Sequence, residues 1–356
     1  MRVPDQVLKT AVFLGKDTST GREYGGTGYI VSVDYGRGWV TEERTGSITL
    51  TERLPFMFLV TAAHVAEKLE EAIDFYIRAN KQDGTLAEPK QNYEDYKWWY
   101  HPTERSSVDA AVMMLPFDTA KSLDIVPIPV TMFVGEETVK SKNLGIGDEV
   151  FIAGLFKKAQ GIAKNVPIVR IGNVAMMPTE KIPFPTDERP NQLLHAYLVE
   201  SRSIGGLSGS PVFIRETIEF NTGKLNFPPG FAINAVDSPT PEIPGVEAIV
   251  IRGLGRFHFF GSMIGRWTVD VGFNDTQVEA VNYGICPMVP AYKILEILRQ
   301  PELIETMNNV SNELRNQKTK RDGKAVMDTG FTDKPFTKEE FEAALKKASR
   351  KKSGEV

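Results

Sequence analysis

A serine set among glycines, Gly206-Leu207-Ser208-Gly209-Ser210-Pro211, is the stretch of this chain best suited to nucleophilic chemistry. It is entered through Gly205-Gly206 and left by Pro211 into the apolar Val212-Phe213, the pattern of a tight turn whose amides stay free. Glycines there let a substrate come close to the backbone. If Ser208 attacks a carbonyl, the N–H groups of Gly206 and Ser208 are the natural donors to the developing oxyanion. The motif alone fits an ordinary Gly/Ser hairpin equally well. A base and an acid to orient it would separate the two readings.

Both partners have suitable contexts upstream. Phe56-Met57-Phe58-Leu59-Val60 is an apolar run of strand length that ends in Thr61-Ala62-Ala63-His64. The small residues let His64 stand at the end of a buried strand, ahead of a helix starting at Val65, with its ring facing a cleft. It reads as a structural histidine or as a general base. Asp109 opens a second apolar strand, Ala110-Ala111-Val112-Met113-Met114-Leu115. A buried carboxylate is costly without donors close by. The Nδ1–H of His64 could be one.

Short apolar segments broken by Gly, Pro and Asn/Asp fill the first 290 residues, which predicts an all-β sandwich or barrel. Gly25-Gly26-Thr27-Gly28 resembles a phosphate loop only superficially, because Tyr29-Ile30-Val31 predicts a strand where a dinucleotide fingerprint requires a helix. Trp98-Trp99-Tyr100 reads as a satellite core or as the border of a substrate groove. The predicted organisation is a first β lobe over 1–116 carrying His64 and Asp109, a connector over 117–144 and a second lobe over 145–290 carrying Ser208. Packing helices follow over 291–315, broken near Pro301, and a polar tail over 316–356. Residues 214–255 form an excursion too long for a plain hairpin. In the tail, Thr337 and Glu340 make a capping box, Phe336 and Phe341 a staple, and Lys346, Lys347, Arg350, Lys351 and Lys352 a basic helix end.

The chain has 356 residues, a formal net charge of −4 and one cysteine, Cys286. A length of this order supports two lobes without covalent staples, and one cysteine excludes an intrachain disulfide and fits a reducing compartment. The charge leaves no electrostatic footprint for nucleic acid or an anionic membrane. No run approaches the roughly 18 apolar residues of a membrane span, and the first fourteen residues show no leader pattern, so the expectation is a cytoplasmic protein. No H-E-x-x-H or paired-cysteine spacing suggests a metal, and no cofactor is expected. His195 and His258 lie in predicted strands and read as core or hydrogen-bonded residues.

Taken together, T-A-A-H at 61–64, V-D-A-A-V-M-M-L at 108–115 and G-L-S-G-S-P-V at 206–212 resemble the chymotrypsin-like (trypsin-like) serine peptidases, in particular the disulfide-free bacterial trypsin-like domains. The order His, Asp, Ser is that of the chymotrypsin-type triad. The resemblance implies two antiparallel Greek-key β-barrels with the site between them, followed here by C-terminal helices. It implies Ser208 as nucleophile, His64 as base and then acid, Asp109 as the orienting carboxylate, and Gly206 and Ser208 as the oxyanion hole. Arg202, with Ser203 and Gly205, falls where relatives line the specificity pocket, so a preference for Lys or Arg is not supported. Arg202 either favours acidic or polar side chains or pairs with a carboxylate such as Glu200. Substrate backbone is expected to add as a strand within 261–267, where Gly261 and Gly265 allow close approach. Leu207 stands where secreted relatives have an aspartate, which argues against their activation switch.

The leading expectation is therefore a serine endopeptidase acting on a protein or peptide substrate. A protease-like scaffold used for binding, its cleft latent or blocked by the excursion, is the alternative. The tail adds a third idea, a docking or self-association role. The residues leave the oligomeric state open.

Overall fold

Runs such as Phe56–Val60 and Ala111–Leu115 carry no polar residue on either side of the strand, so a sheet built from them must be covered on both faces. The computed structural model describes residues 3–35, 54–92, 96–116, 119–120, 122–185, 190–201, 206–217, 219–223, 248–252, 256–265, 268–274, 277–282 and 284–325. The first part of the chain forms β1 (Ala11–Thr18), β2 (Gly21–Tyr35), β3 (Leu54–Thr61), β4 (Asp74–Asn80), β5 (Leu86–Ala87), β6 (Lys90–Asn92), β7 (Trp98–Tyr100), β8 (Ala111–Leu115) and β9 (Ile128–Pro129). They make one open sheet in the order β5-β4-β1-β2-β3-β8-β7, with β6 beside β4 and β9 parallel to β2.

One face of this sheet carries Leu14, Ile30, Leu59, Phe75, Ile77 and Met113, which cluster with Val65 and Leu69 of the helix Ala63–Glu70. The other face buries Val31, Phe58 and Val112 against the rest of the molecule. Trp98 joins the first cluster and Trp99 the second, so these two indoles are core residues of an edge strand.

The later strands are β10 (Glu149–Gly154), β11 (Ile168–Met176), β12 (Ile182–Pro183), β13 (Leu193–Leu194), β14 (Tyr197–Glu200), β15 (Pro211–Arg215), β16 (Glu219–Gly223), β17 (Ala248–Arg252), β18 (Phe257–Met263), β19 (Thr268–Asn274), β20 (Gln277–Asn282) and β21 (Ile285–Pro290). Six of them close a barrel, β10-β11-β14-β21-β18-β15, and β12-β13, β16-β17 and β19-β20 are separate pairs. The expectation of two closed barrels is thus corrected: among the described residues only one barrel closes. Closure needs long, tilted strands in a staggered register. The first sheet instead ends in strands of two and three residues, β5 and β7, and buries both faces.

The stretch read as a connector adds β9 to the sheet and contains the helix Glu136–Ser141. After β21 come the helices Ala291–Leu298 and Pro301–Ala325, separated just ahead of Pro301 as predicted, since proline suits a first helical turn but not an interior. The second continues ten residues past the predicted boundary at 315. The capping box and basic end of the tail, and most of the 214–255 excursion, lie outside the described residues. No helix among the described residues is long and apolar enough to cross a membrane.

The barrel and the sheet meet at Phe259 of β18, which is fully buried, with ring centroids 5.3 Å from Tyr29, 4.5 Å from Phe133 and 6.1 Å from Phe213. Phe259→Ala is expected to cost about 3–5 kcal/mol, the range for emptying a buried aromatic site, read as a lower midpoint in chemical denaturation.

Candidate active site

The antiparallel register of β3 on β8 pairs Thr61 with Ala111 at one end of the ladder. The chain that leaves β3 and the chain that enters β8 therefore converge at that end. His64 lies three residues after Thr61 and Asp109 two before Ala111, so the two side chains meet. His64 Nδ1 lies 2.7 Å from Asp109 Oδ2, and the His64 backbone N–H donates to Asp109 Oδ1 at 2.9 Å. A carboxylate only accepts, so the ring proton sits on Nδ1 and a neutral imidazole keeps its Nε2 lone pair for other work. His64 is in the first turn of its helix, which has no side-chain cap of its own residue at Ala62. The Asp109 carboxylate takes one of the unpaired N–H groups there and complements the dipole.

Burial opposes protonation of His64. The charge of Asp109 and its hydrogen bond outweigh that, with Lys68 one turn on working against and Glu67 in favour, so the imidazole titrates above its ordinary value of 6.5. The His64 side chain remains 36% exposed and that of Asp109 10%.

Ser208 sits on a turn held between the sheet and the barrel. Thr27 of β2 is the joint: its N–H donates to Ser208 O at 2.9 Å and its hydroxyl to Gly206 O at 2.7 Å. The same hydroxyl accepts from Leu155 N at 2.9 Å, and Thr61 Oγ1 donates to Thr27 O at 2.7 Å. On the barrel side Gly209 N–H donates to Met263 O at 2.8 Å, and Ser210 N–H to Leu207 O at 2.9 Å. Gly209 has φ +81°, and a Cβ there would fall 2.1 Å from Thr27 O, so both backbone hand and space require glycine. Leu207, 1% exposed, anchors the turn in apolar packing where a charged residue would need a partner. Neither Gly206 N–H nor Ser208 N–H is hydrogen-bonded among the described residues.

His64, Ser208 and Gly206 line one cavity of about 320 Å³. Both residues line that space, with no hydrogen bond between the Ser208 hydroxyl and the imidazole among the described residues. Thus the structure pairs His64 with Asp109 and brings Ser208 to the cavity that His64 lines. Arg202, Ser203 and Gly205 lie outside the described residues. The expected substrate edge is corrected at Gly261. This residue is paired on both sides, with Val212 and with Pro290, and a Cβ would meet Val289 O at 2.0 Å, so the glycine serves packing within the barrel. Gly265 lies beyond the doubly paired part of β18, with open space around it.

His195 and His258 are hydrogen-bonded residues, on Glu104 at 2.8 Å and Glu216 at 2.7 Å. His101, Glu104 and Glu296 come within metal-ligating distance of one another, but the Lys293 ammonium bonds both carboxylates, at 2.7 and 3.1 Å, and supplies the positive charge there. Sequence reasoning missed Thr27. Its glycine neighbours were the signal: a Cβ at Gly26 would meet Val65 at 2.5 Å and one at Gly28 would meet Leu59 at 2.9 Å, which marks a strand pressed against its surroundings.

No family model matches the chain, and no curated protein matches it in sequence. Among solved structures it is similar to the MamO protease domain of Magnetospirillum magneticum, with 14% identity, a TM-score of 0.40, and 83% of this chain and 98% of that one covered. It is also similar to the Rv3671c protease of M. tuberculosis in an inactive form, with 14% identity, a TM-score of 0.38, and coverage of 82% and 88%. The chemistry of the cleft rests on its own geometry.

In an NMR titration the His64 ring is expected to show its inflection above pH 6.5, and Asp109→Asn to lower it. Because the folded value exceeds the unfolded one, the pair's protonation adds stability that is complete below pH 6.5 and is lost as pH rises through the folded value. Thr27→Val strips partners from Gly206 O and Leu155 N, and is expected to lower stability by about 1–3 kcal/mol, measured by denaturant unfolding.

Proposed function

We propose that the protein is a serine endopeptidase working through an acyl-enzyme. The observation that carries this reading is the His64–Asp109 pair, formed through Nδ1, facing the cavity that Ser208 also lines. With Nδ1–H committed to the carboxylate, Nε2 of His64 is left to take the proton of the Ser208 hydroxyl as its oxygen attacks the substrate carbonyl. The tetrahedral oxyanion is met by the uncommitted N–H groups of Gly206 and Ser208. His64 then gives the proton to the leaving amine, the C–N bond breaks, and the acyl group remains on Ser208. Water, deprotonated by His64, then attacks the acyl carbonyl, the C–O bond to Ser208 breaks to release the acid, and His64 returns the proton to the serine oxygen. Hydrogen bonds of this kind commonly tighten only when substrate is seated, which suits a hydroxyl that shares the cavity but is not yet bonded to the ring.

The missing Ser208–His64 bond also favours a second reading, a latent scaffold that binds a protein or peptide without cleaving it. A fluorophosphonate probe separates the two. On the peptidase reading it labels Ser208 in the native chain, and Ser208→Ala or His64→Ala lowers turnover of a peptide library by roughly 10⁶-fold. Unlabelled, fully folded protein with no turnover would leave the scaffold.

A further inference from the structure

The cavity beside Ser208 carries a charge that the mechanism does not use. Lys16, Lys68 and Lys157 line it, against a single acidic lining residue, Glu23. Lys16 is committed, to Lys68 O at 2.7 Å and to the Glu71 carboxylate at 3.3 Å. Lys68 and Lys157 are exposed and have no carboxylate within ion-pair distance among the described residues. They come from different elements of the chain. Lys68 projects from the helix that carries His64, one turn further on. Lys157 follows β10 and lies against the nucleophile turn, its Cγ 3.2 Å from where a Gly206 Cβ would be.

The cavity also has a direction. Its walls are β1, β2, the His64 helix and Lys157, and none of its lining belongs to β18. It therefore runs from Ser208 out over the first sheet, the side from which the imidazole delivers its proton to the departing amine. The geometry points to this cavity as a subsite for carboxylate side chains on the leaving-group side of the scissile bond, met by Lys68 and Lys157. The orientation rests on the peptidase reading; the binding of an acidic segment does not. Two lysines lining one cavity raise the local concentration of anions and reward a carboxylate seated there. Salt weakens such an interaction.

The test uses the full chain with Ser208→Ala, so that binding is read without turnover. A fluorescent Glu-containing peptide and its Gln twin are compared by anisotropy at low and at physiological salt. The Glu peptide is expected to bind about three- to ten-fold more tightly at low salt, the scale of one or two exposed ion pairs. The Lys68→Gln/Lys157→Gln pair should erase the difference, and Lys81→Gln, away from the cavity, should leave it. Equal binding of the twins, or a preference that survives the double substitution, overturns the subsite. With the active chain, a cleavage library should enrich Asp and Glu in the positions following the cut; enrichment only ahead of it overturns the orientation. If the library is untouched and the serine unlabelled while the Glu peptide still binds through Lys68 and Lys157, the peptidase reading fails and the anionic subsite stands.

Discussion

One carboxylate, closed off from most of the solvent, is what the rest of the cleft depends on. Asp109 accepts from both the ring and the backbone of His64, so the same charge that fixes the imidazole's tautomer also closes the first turn of the helix behind it. Removing a charged acceptor from water costs several kcal/mol unless its donors are in place. Here they are in place because β3 and β8 are adjacent and end together. Local sequence supplies the residues and long-range pairing supplies their encounter.

The second dependence is mechanical. Thr27 ties the serine turn to the sheet through backbone and hydroxyl at once, while Gly209 and Gly154, lacking a Cβ, let the surrounding chain close onto it. A Cβ at Gly154 would sit 2.0 Å from Ser210 Oγ and 2.8 Å from Leu207. Phe259 fills the space behind, touching rings contributed by β2, β15 and the connector. The position of Ser208 relative to the imidazole is thus set by packing across the whole interface. That is why a residue such as Thr27, which performs no chemistry, has as many polar contacts as any group in the cleft.

The contexts of His64, Asp109 and Ser208 were readable because each is a short-range pattern: an apolar run that stops at a polar group, or a polar residue framed by glycines. The closure of a sheet is not such a pattern. β3 and β8 look alike whether their strands curl around one core or lie between two, and the outcome turns on β5 and β7, which are too short to be seen as strands at all. Gly261 was misread for a related reason. A glycine that admits a substrate and a glycine that admits a neighbouring strand have the same sequence, and only the pairing with Val212 and Pro290 distinguishes them. Lys68 and Lys157 were invisible because charges far apart in the chain acquire meaning only when the fold brings them to one cavity.

Leu303, Met307, Val310 and Leu314 belong to the same cluster as Val31, Phe58 and Val112. On a ribosome the sheet strands emerge first, and the helix that helps cover this face follows only after the barrel strands have been made. Until then the nascent chain carries part of a greasy surface uncovered. That interval is when the face is open to a chaperone.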